Sequence, residues 1–298
     1  MSDVVAAQQG ALGSLYRSFL GPGDRYALLD FPDHPNVGDS AIWLGETRML
    51  RQVTGRDPCF TSTWHDFDER RFRDECPDGL VLLHGGGNLG DIWAHHQRFR
   101  EHVIARLHDY RIVQLPQSIH FDAADAAGRF GDVAARHPDL TLCVRDRISL
   151  IAARDWLGDR AILAPDSAFA LGPQSRRPPT VDVLALMRSD AERRDHATNI
   201  SPATMVVDWL DEDTPPAAGA DIAARERQAT DRLKRGLDLL STGRTIVTDR
   251  LHAHILALLL GIPHAVLDNR YGKIGAYMDA WTRGSPLLLP RGDGELAA

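Results

Sequence analysis

One complete strand–helix–strand unit, residues 245–268, constrains the fold of this chain more than any other stretch. Residues 245–247 are β-branched, residues 251–260 carry apolar side chains at helical spacing, and residues 264–267 have the composition of a second strand. Strands joined in this way belong to a parallel sheet, and such sheets bind ligands beyond the carboxyl ends of their strands. The polar turn at residues 249–252 is therefore the first candidate for a binding site.

The same alternation of strand and helix patterns occupies the first half of the chain. Short apolar runs that predict strands lie at residues 26–30, 79–83, 111–115, 140–144 and 161–164. Segments of helical periodicity separate them, which predicts a parallel sheet with helices on both faces. Polar residues follow most of these runs, so the candidate site residues are expected to gather at one edge of the sheet.

A change of composition suggests where a second lobe begins. Residues 172–179 are rich in proline and arginine, which is typical of an exposed connection. Strand patterns return at residues 181–186, 205–207, 245–247 and 264–267. Residues 211–221 are expected to form a mobile loop before a helix at residues 222–240.

These patterns predict an α/β fold of two Rossmann-like lobes of parallel sheet with flanking helices. The first lobe would comprise residues 1–171 and the smaller second lobe residues 172–298. The segment after residue 270 is expected to cross back to the first lobe. The active site would then lie in the cleft between the lobes.

The overall composition is that of an ordinary globular protein, with 43% apolar and 25% charged residues. A formal net charge of −7 argues against a nucleic-acid surface. The longest apolar run, residues 255–260, is too short to span a bilayer, and no secretion signal is recognised. Cys59, Cys76 and Cys143 lack metal-ligand spacing and are expected to be reduced and mostly buried. We therefore expect a cytoplasmic protein.

Two polar stretches in the first half are each open to two interpretations. Asp39 stands near a helix start, where it could cap the helix or present a carboxylate to a cleft. Residues 84–91 contain four glycines, which let a backbone approach a phosphate or sugar closely but also simply make turns. Their spacing matches neither a dinucleotide-binding nor a Walker motif. The sequence likewise has no metal-site spacing, so no metal is predicted.

Taken together, several short motifs resemble the polysaccharide pyruvyl transferase family, in particular its bacterial exopolysaccharide type. They are, in chain order, Asn36-Val37-Gly38-Asp39, His84-Gly85-Gly86-Gly87-Asn88-Leu89, Leu115-Pro116-Gln117-Ser118, Val144-Arg145-Asp146, Pro165-Asp166, Asp249-Arg250-Leu251-His252, Gly261-Ile262-Pro263 and Asn269-Arg270-Tyr271-Gly272-Lys273. The resemblance covers residues 26–281. It implies a GT-B-like fold and transfer of the carboxyvinyl unit of phosphoenolpyruvate to a sugar, often as a cyclic pyruvate ketal. Phosphoenolpyruvate would be a co-substrate, and no cofactor is implied.

The resemblance also implies roles for three basic residues. Arg250 would bind phosphoenolpyruvate, His252 would be the general acid that protonates its enol carbon, and Lys273 would hold an anionic end of the substrate. The chemistry agrees, since arginine suits carboxylates and phosphates and histidine titrates near neutrality. Structural explanations stand beside these roles. Arg250 could pair with a nearby carboxylate such as Asp249, His252 could cap or pack in a helix, and Lys273 could face solvent.

Further residues complete the predicted site. Asp39 is the candidate base for the acceptor hydroxyl. Arg145 would either bind an anion or pair with Asp146 or a helix-end aspartate. The other predicted substrate-binding residues are Asn36, Gly38, His84, Gly86, Gly87, Asn88, Gln117 and Leu251. The histidines that follow predicted strands and could touch sugar hydroxyls are His34, His84 and His120. The histidines expected on helix surfaces or in helix packing are His95, His96 and His254.

Two other functions fit the same sequence. One is a glycosyltransferase of the same two-lobed architecture that uses a nucleotide sugar, since fold does not fix function. The other is a non-catalytic glycan-binding component of polysaccharide assembly. For the transferase, the acceptor could be a free sugar, a polymer or a lipid-linked oligosaccharide, and the last would place the protein at the inner face of the membrane. Association into a homo-oligomer is also left open.

Overall fold

The computed structural model describes residues 3–190, 205–210, 221–269 and 272–290. Within these ranges every paired strand runs parallel to its neighbour, and the strands form two sheets. The chain is therefore an α/β protein with parallel sheets flanked by helices. Residues 211–220 of the expected loop, and Arg270 and Tyr271 of the last motif, lie outside the described residues.

The first sheet is built from the first half of the chain. Its elements are α1 (Asp3–Phe19), β1 (Tyr26–Leu29), α2 (Val37–Thr54), β2 (Phe60–Ser62), α3 (Glu69–Glu75), β3 (Leu80–Leu83), β4 (Gly86–Gly90), α4 (Ala94–Arg106), β5 (Ile112–His120), α5 (Ala124–Arg136), β6 (Leu140–Val144), α6 (Arg147–Leu157) and β7 (Ala161–Leu163). The strand order is β2-β1-β3-β5-β6-β7, and β4 pairs with β5. Short 3-10 turns at Gly158–Arg160 and Ser167–Leu171 flank β7.

The second sheet has four strands, in the order β11-β10-β8-β9. Its elements are β8 (Val181–Leu186), β9 (Met205–Val207), α7 (Ile222–Thr242), β10 (Gly243–Thr248), α8 (Leu251–Leu260), β11 (His264–Val266) and α9 (Lys273–Trp281). The predicted strand–helix–strand unit is confirmed as β10, α8 and β11. Every residue of α8 is buried, because this helix packs within a core rather than against solvent.

Two helices that follow strands of the second sheet pack against the first lobe. In α7, Glu226 accepts two hydrogen bonds from Arg51 of α2, at 2.5 and 2.7 Å. In α9, the Tyr277 hydroxyl donates to Gln8 Oε1 at 2.9 Å, and Trp281 Nε1 donates to the Arg145 carbonyl at 2.9 Å. These contacts fix the two sheets relative to each other through polar bonds as well as apolar packing.

Several features depart from the sequence-based expectation. The glycine-rich stretch expected to be a loop is in part a strand, β4, since glycine lets the backbone pass close to β5. Cys59 and Cys76, expected to be reduced, form a disulfide, while Cys143 is a buried thiol. The Cα atoms of the pair are 5.7 Å apart, within the range a disulfide bridges, and only the fold brings them together. Among the described residues no helix is long and apolar enough to cross a bilayer.

Candidate functional site

A cleft of about 370 Å³ lies where the carboxyl ends of strands from both sheets face each other. Most of the residues predicted for the site line it, namely Asn36, Asp39, Gly87, Asn88, Arg145, Arg250, Leu251, His252 and Lys273. The others, Gly38, His84, Gly86 and Gln117, are in the layer behind its wall. The polar turns that follow the strands therefore meet in this cleft, as their position after parallel strands predicts.

At the centre of the cleft, His252 meets two buried groups of the first lobe. Arg145 Nη1 donates to Asp166 Oδ2 at 2.5 Å, and Arg145 Nε donates to Ser118 Oγ at 3.0 Å. His252 Nε2 lies 3.4 Å from the same Asp166 oxygen and 3.5 Å from Arg145 Nη1. Of the two kinds of partner expected for a paired Arg145, Asp146 instead caps α6. The guanidinium pairs with Asp166, an aspartate at the start of a short 3-10 helix.

The electrostatics of this cluster keep Asp166 ionised. Burial acts to raise the pKa of Asp166, but His252 and the Arg145 guanidinium outweigh it and hold that pKa well below its usual value. Asp166 thus offers a fixed negative charge beside the imidazole. Such a carboxylate can orient a histidine ring.

The start of α2 forms the wall against the other side of the imidazole. Asn36, not Asp39, is the N-cap, and its Oδ1 accepts from Gly38 N at 3.0 Å. A Cβ added to Gly38 would lie 2.7 Å from Cβ of His252 and closer still to its ring, so only glycine fits there. The sequence therefore misplaced the cap by three residues, because two capping residue types stand close together.

Asp39 is consequently available to the cleft rather than occupied as a cap. Asn36 Nδ2 donates to Asp39 Oδ2 at 2.8 Å, and His34 Nε2 lies 3.6 Å from that oxygen. Burial acts to raise the pKa of Asp39, but His34 and His252 outweigh it and lower the pKa. Asp39 is an oriented carboxylate at the edge of the cleft.

The glycine-rich strand presents Asn88 to the cleft. Gly86 has a φ of 126°, and a Cβ there would lie 3.3 Å from Asp39 Oδ1, which explains a glycine at this position. Asn88 Oδ1 accepts from Gln117 Nε2 at 2.9 Å and from Arg100 Nη2 at 2.7 Å. Gln117 therefore positions Asn88 rather than lining the cleft itself.

His84 belongs to a buried pair beneath the cleft. Its Nδ1 lies 2.7 Å from Glu46 Oε2, and Gly85 N donates to Glu46 Oε1 at 2.9 Å. Burial acts to lower the pKa of His84, but Glu46 outweighs it and the pKa is raised. Glu46 lies in the middle of a helix pattern, so the sequence gave no sign of this pair.

Arg250 is anchored in the second lobe by carboxylates. Its Nε and Nη2 donate to Asp208 at 2.8 and 2.6 Å, and Nη2 also donates to Asp190 at 3.2 Å. The guanidinium lies 5.5 Å from the centre of the Trp209 ring. The guanidinium thus pairs with nearby carboxylates, but these are Asp208, which follows β9, and Asp190, which lies after β8. Asp249 instead accepts a hydrogen bond from Arg188 N at 2.8 Å.

Lys273 bridges the two lobes at the far end of the cleft. It is the first residue of α9, and its side chain is directed inward with the residue only 9% exposed. Its Nζ donates to the Gly87 carbonyl at 3.2 Å. The solvent-facing alternative is therefore wrong for this lysine.

The histidines divide differently from expectation. His34, His95 and His96 all line the cleft, and the last two lie on a helix, as expected. His95 and His96 belong to the first turn of α4, which faces the cleft. His96 Nδ1 lies 2.9 Å from Asp30 Oδ1. His120 is instead at the surface beside Asp122. The expected packing role of His254 is confirmed, since it is buried with Nδ1 2.7 Å from His264 Nε2.

Sequence reasoning missed several residues that form the cleft or support it. They are Trp93, Asp166, Arg188, Asp190, Asp208, Trp209 and Asn269. Asp166 and Asn269 had a signal, because they belong to the motifs named above and lie two residues after predicted strands. Asp208 directly follows the predicted strand at residues 205–207. The sequence did not show that Asp190 and Asp208 reach Arg250, because the sheet order brings them there.

Comparison with known proteins places the chain among its relatives. The sequence pattern that defines polysaccharide pyruvyl transferases matches residues 36–271. Pyruvyl transferase 1 of Schizosaccharomyces pombe is 33% identical, over 96% of this chain and 76% of its own length. EpsO of Bacillus subtilis, provisionally named a pyruvyl transferase, is 27% identical over 86% of this chain and 85% of its own. A crystal structure of a functionally uncharacterised Klebsiella pneumoniae protein is similar in fold, with a TM-score of 0.62, 17% identity and coverage of 98% and 100% of the two chains.

Proposed function

The chain belongs to the polysaccharide pyruvyl transferase family, and from that premise we propose that it moves the carboxyvinyl unit of phosphoenolpyruvate onto a sugar and closes a pyruvate ketal. The observation that carries the proposal is the His252 imidazole held between Arg145 and Asp166 in a cleft bordered by further cations. The two lobes would act as a GT-B-type pair, with the acceptor on the first lobe and the donor on the second. We place this activity in the cytoplasm, where a lipid-linked acceptor would bring it to the membrane.

The cleft suits a small substrate with two anionic groups. Phosphoenolpyruvate carries a carboxylate and a phosphate, and both are bound well by guanidinium groups and lysine. Arg145 and Arg250 enter the cleft from opposite lobes, and Lys273 closes one end. Asp208 and Asp190 hold Nε and Nη2 of Arg250, which fixes the plane of its guanidinium before a ligand arrives. Binding of the donor between these cations would also hold the lobes together.

The proposed reaction begins with proton transfer to carbon. Protonated His252 gives its proton to C3 of phosphoenolpyruvate, and positive charge develops at C2. A sugar hydroxyl bonds to C2 and loses its proton to Asp39. The bond from C2 to the phosphate oxygen then breaks, and phosphate leaves with that proton. A second hydroxyl bonds to C2 and returns a proton to His252, which closes the ketal and restores the acid.

Asp166 and Asn36 position the two groups that move protons. The Asp166 carboxylate, 3.4 Å from His252 Nε2, would hold the imidazole ring in a fixed orientation for the first step. Asn36 holds Asp39 through a hydrogen bond of 2.8 Å at the start of α2. The acid would therefore stand on one side of the substrate's C2–C3 bond and the base near the sugar.

Thermal unfolding with and without phosphoenolpyruvate tests the donor site, because a ligand that binds only the folded state raises its stability. At a concentration of one hundred times Kd the stabilisation is about 2.7 kcal/mol. We expect a shift for the wild type that is reduced in Arg145→Lys and Arg250→Lys, which keep the charge but lose the planar fork. Arg129→Lys, at an exposed pair on α5, is the matched control and keeps the full shift. A shift with nucleotide sugars and none with phosphoenolpyruvate would instead indicate a glycosyltransferase.

A further inference from the structure

An exposed tryptophan stands at the mouth of the cleft. Trp64 is 43% exposed, although large aromatic side chains are usually covered in a folded protein. Its ring centre lies 4.9 Å from that of His95, which lines the cleft, and the His95 ring centre lies 4.3 Å from that of His96. A continuous row of rings thus leads from the cleft to the surface.

The loop that carries Trp64 is held in place by its own hydrogen bonds. Thr63 N donates to Asp66 Oδ1 at 2.7 Å, and Asp66 N donates to Thr63 Oγ1 at 3.2 Å. Arg225 of α7 forms an ion pair with the other Asp66 oxygen. Hydrogen bonds within the turn and an ion pair with α7 therefore hold the exposed ring in a defined position.

Polar groups surround the exposed ring. His65 packs edge-on against Trp64 with ring centres 5.2 Å apart, and its Nε2 lies 3.5 Å from Asp33 Oδ2. Asp33 directly precedes His34, which lines the cleft. A pyranose ring has an apolar face of C–H bonds and a rim of hydroxyls, so it matches an aromatic face bordered by imidazole and carboxylate groups.

We propose that Trp64, His65 and Asp33 form a second sugar subsite, which binds the unit of the acceptor next to the one that receives the pyruvyl group. Trp64 stacks against the face of that sugar, and His65 and Asp33 bind its hydroxyls. The acceptor is accordingly an oligosaccharide or the end of a polymer rather than a free monosaccharide. This inference rests on the proposed function for the identity of the first subsite.

Calorimetric binding to sugars of two lengths tests the subsite without any need for phosphoenolpyruvate. The probes are methyl glycosides of glucose, galactose, mannose and N-acetylglucosamine and the corresponding linear trisaccharides. The wild type should bind at least one trisaccharide about tenfold more tightly than its monosaccharide. Trp64→Ala should lose that preference and leave monosaccharide affinity unchanged, while Trp64→Phe keeps most of it. Ile151→Ala, which removes another exposed apolar side chain, on α6, is the control and keeps the preference in full.

Two results would overturn the subsite. One is a trisaccharide preference that is unchanged in Trp64→Ala, and the other is the absence of any trisaccharide preference in the wild type. Both are distinguishable from failure of the proposed function, which would appear as no release of phosphate from phosphoenolpyruvate whatever sugar is present. A chain that shows the preference but consumes no phosphoenolpyruvate would have the subsite without the proposed chemistry.

Discussion

His252 Nε2, at the start of a helix in the second lobe, lies 3.4 Å from Oδ2 of Asp166, which follows the last strand of the first sheet. The proposed acid and the group that would orient it thus follow strands of different sheets. Their alignment depends on the packing of α2, α7 and α9 between the sheets. Residues far from the substrate can therefore influence the chemistry by shifting one lobe against the other.

Replacement of the proposed acid should separate binding from chemistry. We expect His252→Ala to lower the rate of phosphate release by about 10²- to 10⁴-fold, the usual contribution of a positioned general acid. The anionic groups of phosphoenolpyruvate still meet Arg145 and Arg250, so its affinity should change little. Phosphate release and calorimetric binding measure the two effects. A parallel loss of affinity and rate would mean that His252 acts chiefly in binding.

The contact between Gly38 and His252 gives a test that removes no polar group. Gly38→Ala puts a methyl group where the imidazole lies, so we expect a fall in kcat of about tenfold or more from displacement of the acid. Gly10→Ala in α1 is the matched control, because nothing lies within 4 Å of the added atom. That change should stabilise the helix by about 0.5–1 kcal/mol and leave kcat unaltered. Equal kinetics for both variants would contradict the close approach.

The buried ion pair of Asp166 predicts sensitivity to acid. The pKa of Asp166 is lower in the folded chain than in the unfolded chain, so the ionised carboxylate stabilises the fold fully above its unfolded pKa near 4. This stabilisation is lost as the pH falls through the folded-state pKa. Asp166→Asn leaves Arg145 without its partner, so we expect a loss of about 3–5 kcal/mol at pH 7 and a weaker further loss on acidification. Urea unfolding at pH 7 and pH 3 measures both. The exposed Asp125→Asn should change stability by less than about 1 kcal/mol.

The buried pair of His254 and His264 predicts a second pH dependence of stability, at a higher pH than that of Asp166. Burial lowers the pKa of His264 to about 4. The unfolded chain binds a proton there near pH 6.5 while the folded chain does not, so stability is complete above pH 6.5 and falls between pH 6.5 and 4. We expect the fall in the free energy of unfolding between pH 6.5 and 4 to be smaller in His264→Gln by up to about 3 kcal/mol. His102→Gln, at an exposed position on α4, should leave the slope unchanged, and a slope unaltered by His264→Gln would refute the assignment.

Much of the fold follows from the sequence because parallel strands buried on both faces leave strong local patterns. The run 80–83 is apolar throughout, and α8 is apolar except for two histidines, with glycine or polar turns at their ends. The short strand at Phe60–Ser62 and the disulfide of Cys59 left no such pattern. Both depend on neighbours that are distant in sequence.

The sequence predicted the position of the candidate site better than it predicted the contacts between its side chains. Polar turns after strands located Arg145, Arg250 and His252 correctly at the cleft, because the carboxyl ends of parallel strands share one edge. Asp166 and Asp208 also follow predicted strands, but the sequence does not show which arginine each one reaches, because the sheet order decides those pairings.

Acceptor-dependent consumption of phosphoenolpyruvate in D₂O tests the central claim most directly. The wild type, supplied with the trisaccharide panel, should release phosphate and form a ketal whose methyl group carries one deuterium from solvent, visible by NMR. His252→Ala should form neither product at a comparable rate. Consumption of a nucleotide sugar in place of phosphoenolpyruvate, or a ketal methyl group without solvent deuterium, would contradict the account.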